Sequence, residues 1–235
     1  MSSLRERLEG VRGRVALAAQ KAGRSPDDVE LVAVSKTVPA ETIMEAFHLG
    51  QRQFGENRVQ ECREKRDALA ALGPMPGAIW HMIGHLQTNK VKLAVDLFDI
   101  IQSVDSVRLA RLLDADAAAA GKRPVVLLEV DFSRQPQRLG FSPEELESDI
   151  GELIALPHLA VGGLMTVAPM GLDPDGTRGV FRHLRLLRDR LAAGYPTVEW
   201  RHLSMGMSDD YAMAIEEGAT IVRIGRAIFG ERSGG

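Results

Sequence analysis

Lys36 closes an apolar run, ELVAVSK at 30–36, and is the residue in this chain best placed to act as a nucleophile. The remaining lysines, at 21, 65, 90, 92 and 122, fall on segments that read as helices or loops. An amine held at a strand end beside apolar neighbours is partly desolvated, which lowers its pKa and frees its lone pair to attack a carbonyl carbon. The competing reading is a lysine that snorkels from the strand end into solvent, and position alone leaves the two level. Two glycine turns suggest a second chemistry. SMGMS at 204–208 leads into a helical pattern near 208, and GRA at 225–227 leads into a last helical turn. Glycine lets backbone approach an anion, helix N-termini present N–H groups to phosphate, and Ser204 or Ser208 can add a hydroxyl. Thirdly, Arg223 sits among Ile221, Val222 and Ile224. A buried cation needs a partner. That partner is a carboxylate or carbonyl on a structural reading, and a ring nitrogen on a functional one.

These residues must be positioned by the elements that carry them. Short apolar runs predict strands at 30–36, 53–57, 78–84, 98–104, 124–132, 159–166, 197–205 and 220–225. Most are rich in Val, Ile or Leu on successive positions, as in strands buried on both faces. Helical patterns alternate with them. Ser142-Pro143-Glu144-Glu145 is a capping box with proline at the first helical position, and Asp105 and Ser208 are expected caps for the helices that follow them. Leu4, Leu8, Val11, Val15 and Ala18 recur at helical spacing and predict an extra N-terminal helix over 2–22. A helix over 177–193 buries Val180, Phe181, Leu184, Leu187 and Leu191, and its arginines, including Arg178, Arg182 and Arg185, read as a solvated face.

Eight alternating β and α units predict one (β/α)8 barrel of the TIM type over residues 1–235, with catalytic residues at the C-terminal ends of the strands. A doubly wound open sheet would need a glycine-rich turn after the first strand, and SKTVPAE has none. In the barrel, the Lys36 amine, the glycine turns after strands seven and eight and the Arg223 cation meet at one mouth. Together they describe a site for pyridoxal 5′-phosphate (PLP).

Composition excludes other classes. The chain is 45% hydrophobic and 26% charged with a net charge of −3, which supplies a core and gives no general attraction to nucleic acid or an anionic membrane. No run of apolar residues is long enough to span a bilayer. Glu6 and Glu9 interrupt the arginines at the N-terminus, against a transit peptide. A single cysteine, Cys62, forms no internal disulfide and suits a reducing cytoplasm.

LVAVSKT around Lys36, FGENRVQE at 54–61, WHMIGHLQTNK at 80–90, LSMGMSDD at 203–210 and VRIGRAIFG at 222–230 resemble the PLP homeostasis protein family, relatives of the barrel domain of alanine racemase. The resemblance implies a fold-type-III PLP barrel with a Schiff base on Lys36 and Arg223 facing the pyridine nitrogen. It implies Ser204, Gly206, Gly225 and the Arg226 amide around the phosphate, Asn57 beside the ring, and His81 and Met165 lining the site. Arg226 stands where the family commonly has a small residue, His85 where it has proline, and Arg138 where it has lysine.

The implied function is a carrier and buffer of PLP acting on vitamin B6 and amino-acid pools, with no robust catalytic activity. PLP-dependent apoenzymes are the expected recipients, and a monomer is expected because no dimerisation domain is present. An arginine opposite the ring nitrogen keeps that nitrogen unprotonated, which makes the ring a poor electron sink. The alternatives are an amino-acid racemase and a cofactor-free aldolase acting through Lys36. Racemisation needs acid–base groups on both faces of the planar intermediate, one to remove the α-proton and one to return it. The chain stops at Gly235, so the racemases' second domain is expected to be absent. Tyr195 is placed on the far face of the barrel, and Tyr211 alone lies near the mouth.

Overall fold

The computed structural model describes residues 2–133 and 139–230. Arg138 lies outside them. Eight parallel strands close a barrel in chain order: β1 (Glu30–Val34), β2 (Gln53–Glu56), β3 (Ile79–Met82), β4 (Ile100–Val104), β5 (Val125–Glu129), β6 (Ala160–Met165), β7 (His202–Ser204) and β8 (Ile221–Ile224). The ring closes where β1 pairs with β8, with Val32 opposite Arg223 and Ala33 opposite Ile224. This is the expected (β/α)8 barrel.

Side chains alternate across each strand, so one set points at the helices and the other into the barrel. Ala33, Phe54, Trp80, Ile101, Leu128, Leu164, Leu203 and Val222 belong to the large outer core under the helices. Val32, Ile100, Leu127, Met165 and Ile221 form a separate apolar cluster. Each such side chain contributes roughly 1.5–3 kcal/mol by leaving water.

The helices follow their start signals. Helix α1 (Leu4–Lys21) opens with a capping box of Ser3 and Glu6, buries Leu4, Leu8, Val11 and Val15, and packs on α8 (Tyr211–Glu216) and α9 (Arg226–Phe229). Helix α6 (Pro143–Ile154) carries the expected Ser142–Glu145 box. Helices α2 (Ala40–His48), α3 (Val59–Leu72), α4 (Val91–Leu97), α5 (Val107–Ala120) and α7 (Pro174–Gly194) fill the other connections.

Four expectations need correction. The seventh strand is only 202–204, because residues 198–201 turn tightly, Trp200 N–H donating to Val198 and Arg201 N–H to Glu199. Ser106, not Asp105, caps α5, because the Ser106 hydroxyl accepts the Leu109 N–H while Asp105 is taken by His85 and Ser106. Ser208 does not cap α8: that helix starts at Tyr211, after a turn in which Asp210 accepts the Met207 N–H. Helix α7 starts at Pro174, where Asp173 caps it, and Arg178, Arg182 and Arg185 all pair with Glu217 rather than forming a purely solvated face. Among the described residues no helix is long and apolar enough to cross a membrane.

Candidate functional site

Lys36 follows β1 in a tight turn closed by the Val38 N–H donating to the Ser35 carbonyl at 2.9 Å. Ser35 continues the outward series of β1, and Lys36 continues the inward series of Val32 and Val34. Ser35 is gripped from the helix layer. Its hydroxyl donates to Glu56 Oε1 at 2.7 Å, and its carbonyl accepts from Lys65 Nζ of α3 at 2.6 Å. Lys65 also pairs with Glu56 at 2.9 Å and with Glu61 at 2.6 Å. Thr37 has φ +62°, the only positive φ outside glycine among the described residues, and its N–H donates to Glu61. Burial pushes the Glu56 carboxyl up, against the pull of the Lys65 charge and the Ser35 hydroxyl. Burial would raise Glu61 too, but hydrogen bonds from Lys65 and the Thr37 N–H outweigh it and hold that carboxyl below its usual range.

Inside the barrel one hydrogen-bonded chain runs across the strands. Arg223 on β8 donates from one terminal nitrogen to Ser204 Oγ and from the other to the Thr166 carbonyl at 2.9 Å. The Ser204 hydroxyl donates to Gln102 Oε1 at 2.6 Å. The Gln102 amide donates to His81 Nδ1 at 2.8 Å, which leaves the proton on Nε2 to be donated to Gln53 Oε1 at 2.7 Å. His81 is fully buried, and desolvation first, then the charges of His202 and Arg223, holds its pKa down at about 3. The ring is neutral and its tautomer fixed. Arg223 is pulled down to about 10 by burial, opposed by the nearby Glu129 and Asp210 carboxylates, so it stays a cation at neutral pH. Its structural partners are therefore a hydroxyl and a carbonyl. No described residue accepts from its Nε–H, which leaves a donor for a ring nitrogen.

The two glycine turns adjoin these groups. Gly206 has φ +92°, and a Cβ there would lie 2.6 Å from Ala214 Cβ. A Cβ on Gly225 would lie 3.2 Å from the Val34 carbonyl, so this turn abuts the strand that carries Lys36. Gly225 thus makes way for β1. The first N–H groups of α9, on residues 226 and 227, have no partner within that helix. Asn57, just after β2, has a buried Oδ1 without a hydrogen bond. The ends of β7, β8, β1 and β2 thus form one arc holding Gly206, Gly225, Lys36 and Asn57. An amine, an unpartnered acceptor, a fixed cation and open backbone donors fit PLP, which carries an aldehyde, a ring hydroxyl, a ring nitrogen and a phosphate.

Several expected residues have partners within the protein. The Ser204 hydroxyl is fully buried and engaged by Arg223 and Gln102, so here it orients the cation. The half-buried Ser208, whose hydroxyl no described residue engages, is the available one. Both ring nitrogens of His81 are occupied, by Gln53 and Gln102, and Met165 packs in the apolar cluster with Val32 and Leu127. The Arg226 guanidinium turns outward to Asp209 at 3.0 Å, leaving only its backbone amide for the site. His85 pairs with Asp105 at 3.1 Å, away from this arc. Sequence reasoning missed Gln102, Thr166, Glu129, Asp210, Lys65 and Glu61. An amide in the strand IIQSV was the one local signal.

The alanine racemase N-terminal domain model matches residues 7–233. A pyridoxal phosphate homeostasis protein of Aquifex aeolicus is 44% identical over 227 residues, 97% of either chain. PipY of Synechococcus elongatus, whose structure was solved with PLP bound, superposes with a TM-score of 0.86 at 38% identity, over 97% of this chain and 100% of PipY. Alanine racemase of Clostridium difficile shares the fold at 17% identity and TM-score 0.70, over 98% of this chain and 57% of the racemase.

Proposed function

This chain belongs to the pyridoxal phosphate homeostasis protein family, and on that premise we propose that it holds PLP reversibly on Lys36 as a Schiff base, as a carrier and buffer of the cofactor. When bound, the cofactor supplies an aldehyde to the lysine and a pyridine ring. The protein does the rest. Lys36 presents its amine from the inward side of the β1 turn, and Asn57 Oδ1 accepts the ring hydroxyl. The N–H groups at 226 and 227, with Ser208, hold the phosphate, and Gly206 and Gly225 shape the turns that present them.

The observation that carries this reading is the immobilised cation at Arg223. Ser204 and Thr166 fix it, and Glu129 and Asp210 favour its charge. A fixed cation at the ring nitrogen opposes protonation there, because two positive charges would face each other. The ring then withdraws electrons poorly from a bound amino acid, so the site binds without efficient turnover. Tyr211 supports the same conclusion: its hydroxyl accepts from Arg14 Nε on α1 at 3.2 Å, which ties the candidate second proton donor to the outer helix layer. The buried Cys62, its thiol pushed up to about 12 by burial, is an inert side chain and fits a cytoplasmic setting. We assign the chain as a monomer that hands PLP to apoenzymes.

Incubating PLP-loaded protein with an apoenzyme that requires PLP tests the carrier role. Recovery of that enzyme's activity, with matching loss of yellow colour from this protein, is expected. A protein that is colourless with PLP, or that acts on a ketone substrate without it, would favour the aldolase reading.

A further inference from the structure

We propose that Lys65 and Glu61 of α3, acting with Glu56, are positioning residues that hold the strained Lys36 turn and so set the reach of the Lys36 amine. The inference rests on the reading that Lys36 binds PLP. A left-handed backbone at a residue with a side chain is unfavourable and persists only when its surroundings hold it. Here the holding contacts are explicit. Glu61 accepts the Thr37 N–H, Lys65 donates to the Ser35 carbonyl as well as to Glu56 and Glu61, and Glu56 accepts the Ser35 hydroxyl. The backbone on each side of Lys36 is thereby bonded to one helix, while the lysine side chain follows the inward series.

Lys65 is 11% exposed, Glu56 fully buried and Glu61 23% exposed. An ion-pair network in this position opens no cavity to a ligand and touches none of the groups assigned to ring or phosphate. Its consequence is mechanical. Without these partners the turn relaxes toward ordinary backbone angles, and Lys36 leaves the position from which it reaches the aldehyde. The reaction affected is the condensation of the neutral amine with the aldehyde, in which one C=N bond replaces C=O and one water is released.

The test uses the full chain with two probes, PLP and pyridoxine 5′-phosphate, which has an alcohol where PLP has its aldehyde. Glu61→Ala and Lys65→Met should weaken PLP binding and slow its condensation roughly tenfold, on the scale of the strain released. Pyridoxine 5′-phosphate binding should stay as in wild type, because ring and phosphate contacts are untouched. Glu61→Gln keeps an acceptor for the Thr37 N–H and should fall between wild type and Glu61→Ala. Should Lys65→Met fail to fold, the two variants at the more exposed Glu61 decide. Equal loss of both probes, or PLP binding unchanged in Glu61→Ala, overturns the proposal. If wild-type protein carries no borohydride-fixed label on Lys36, the underlying reading fails instead and takes the proposal with it.

Discussion

Acidification should unload the hydrogen-bonded chain behind Arg223, and the effect can be isolated with His81→Gln. In the folded protein the His81 pKa is held at about 3, whereas in the unfolded chain it returns to about 6.5. Between these values the unfolded chain binds a proton that the folded protein does not, so stability falls as pH falls. The slope is about 1.4 kcal/mol per pH unit, and from pH 7 to pH 5 the loss at this one residue is about 2 kcal/mol. A glutamine at 81 can accept from Gln102 and donate to Gln53 without titrating. Glu30, Glu56 and Asp210, whose carboxyls are raised mainly by burial, work in the opposite direction, and His202, lowered to about 4, in the same direction. All four are common to both proteins and cancel in the comparison. Urea unfolding at pH 7 and pH 5 should therefore show wild type losing about 2 kcal/mol more than His81→Gln. Parallel losses, or a His81 ring resonance that titrates near its ordinary value, would refute the buried neutral histidine.

Asn57→Ala removes a buried oxygen that has no partner, so it should shift unfolding stability of the cofactor-free protein by less than about 1 kcal/mol while weakening PLP binding roughly tenfold; a large stability loss would show that Asn57 is structural. Gly206→Ala combines φ +92° with a Cβ 2.6 Å from Ala214 Cβ and 2.9 Å from the Tyr211 Cα, and should destabilise by about 2–5 kcal/mol in urea unfolding, with Ala214→Gly restoring only part of the loss because the Tyr211 backbone contact remains. Chiral analysis of L-alanine incubated with PLP-loaded protein should show negligible inversion, because Tyr211 is bonded to Arg14; turnover near ~1 per second that disappears in Tyr211→Phe would make the protein an enzyme.

The barrel was legible because strands buried on both faces are written as apolar runs, and each of the eight lies within its expected stretch. The overlong seventh strand shows the limit of that signal: VEWR at 198–201 has strand-like composition, but local turns claim its backbone. Lys36 and Arg223 stood out for the complementary reason, as cations closing or interrupting apolar sequence. Their supports did not, since Ser204 reaches Gln102 across 102 positions and Ser35 reaches Lys65 across 30. Ser204 was expected to face a phosphate because its motif precedes a glycine turn. Strand alternation, which points it into the barrel at Arg223, was the information needed to find that partner. Lys65 read as one helical lysine among several, and only the packing of α3 on the end of β1 gives it a role.

Borohydride reduction of the PLP-loaded protein, followed by peptide mass mapping, bears most directly on the site. The pyridoxyl group should be found on Lys36, the lysine whose turn is gripped by α3 and whose side chain follows the inward face of β1. Label on Lys65, Lys90 or Lys92 in its place, or a protein that reduction leaves unlabelled, would contradict it.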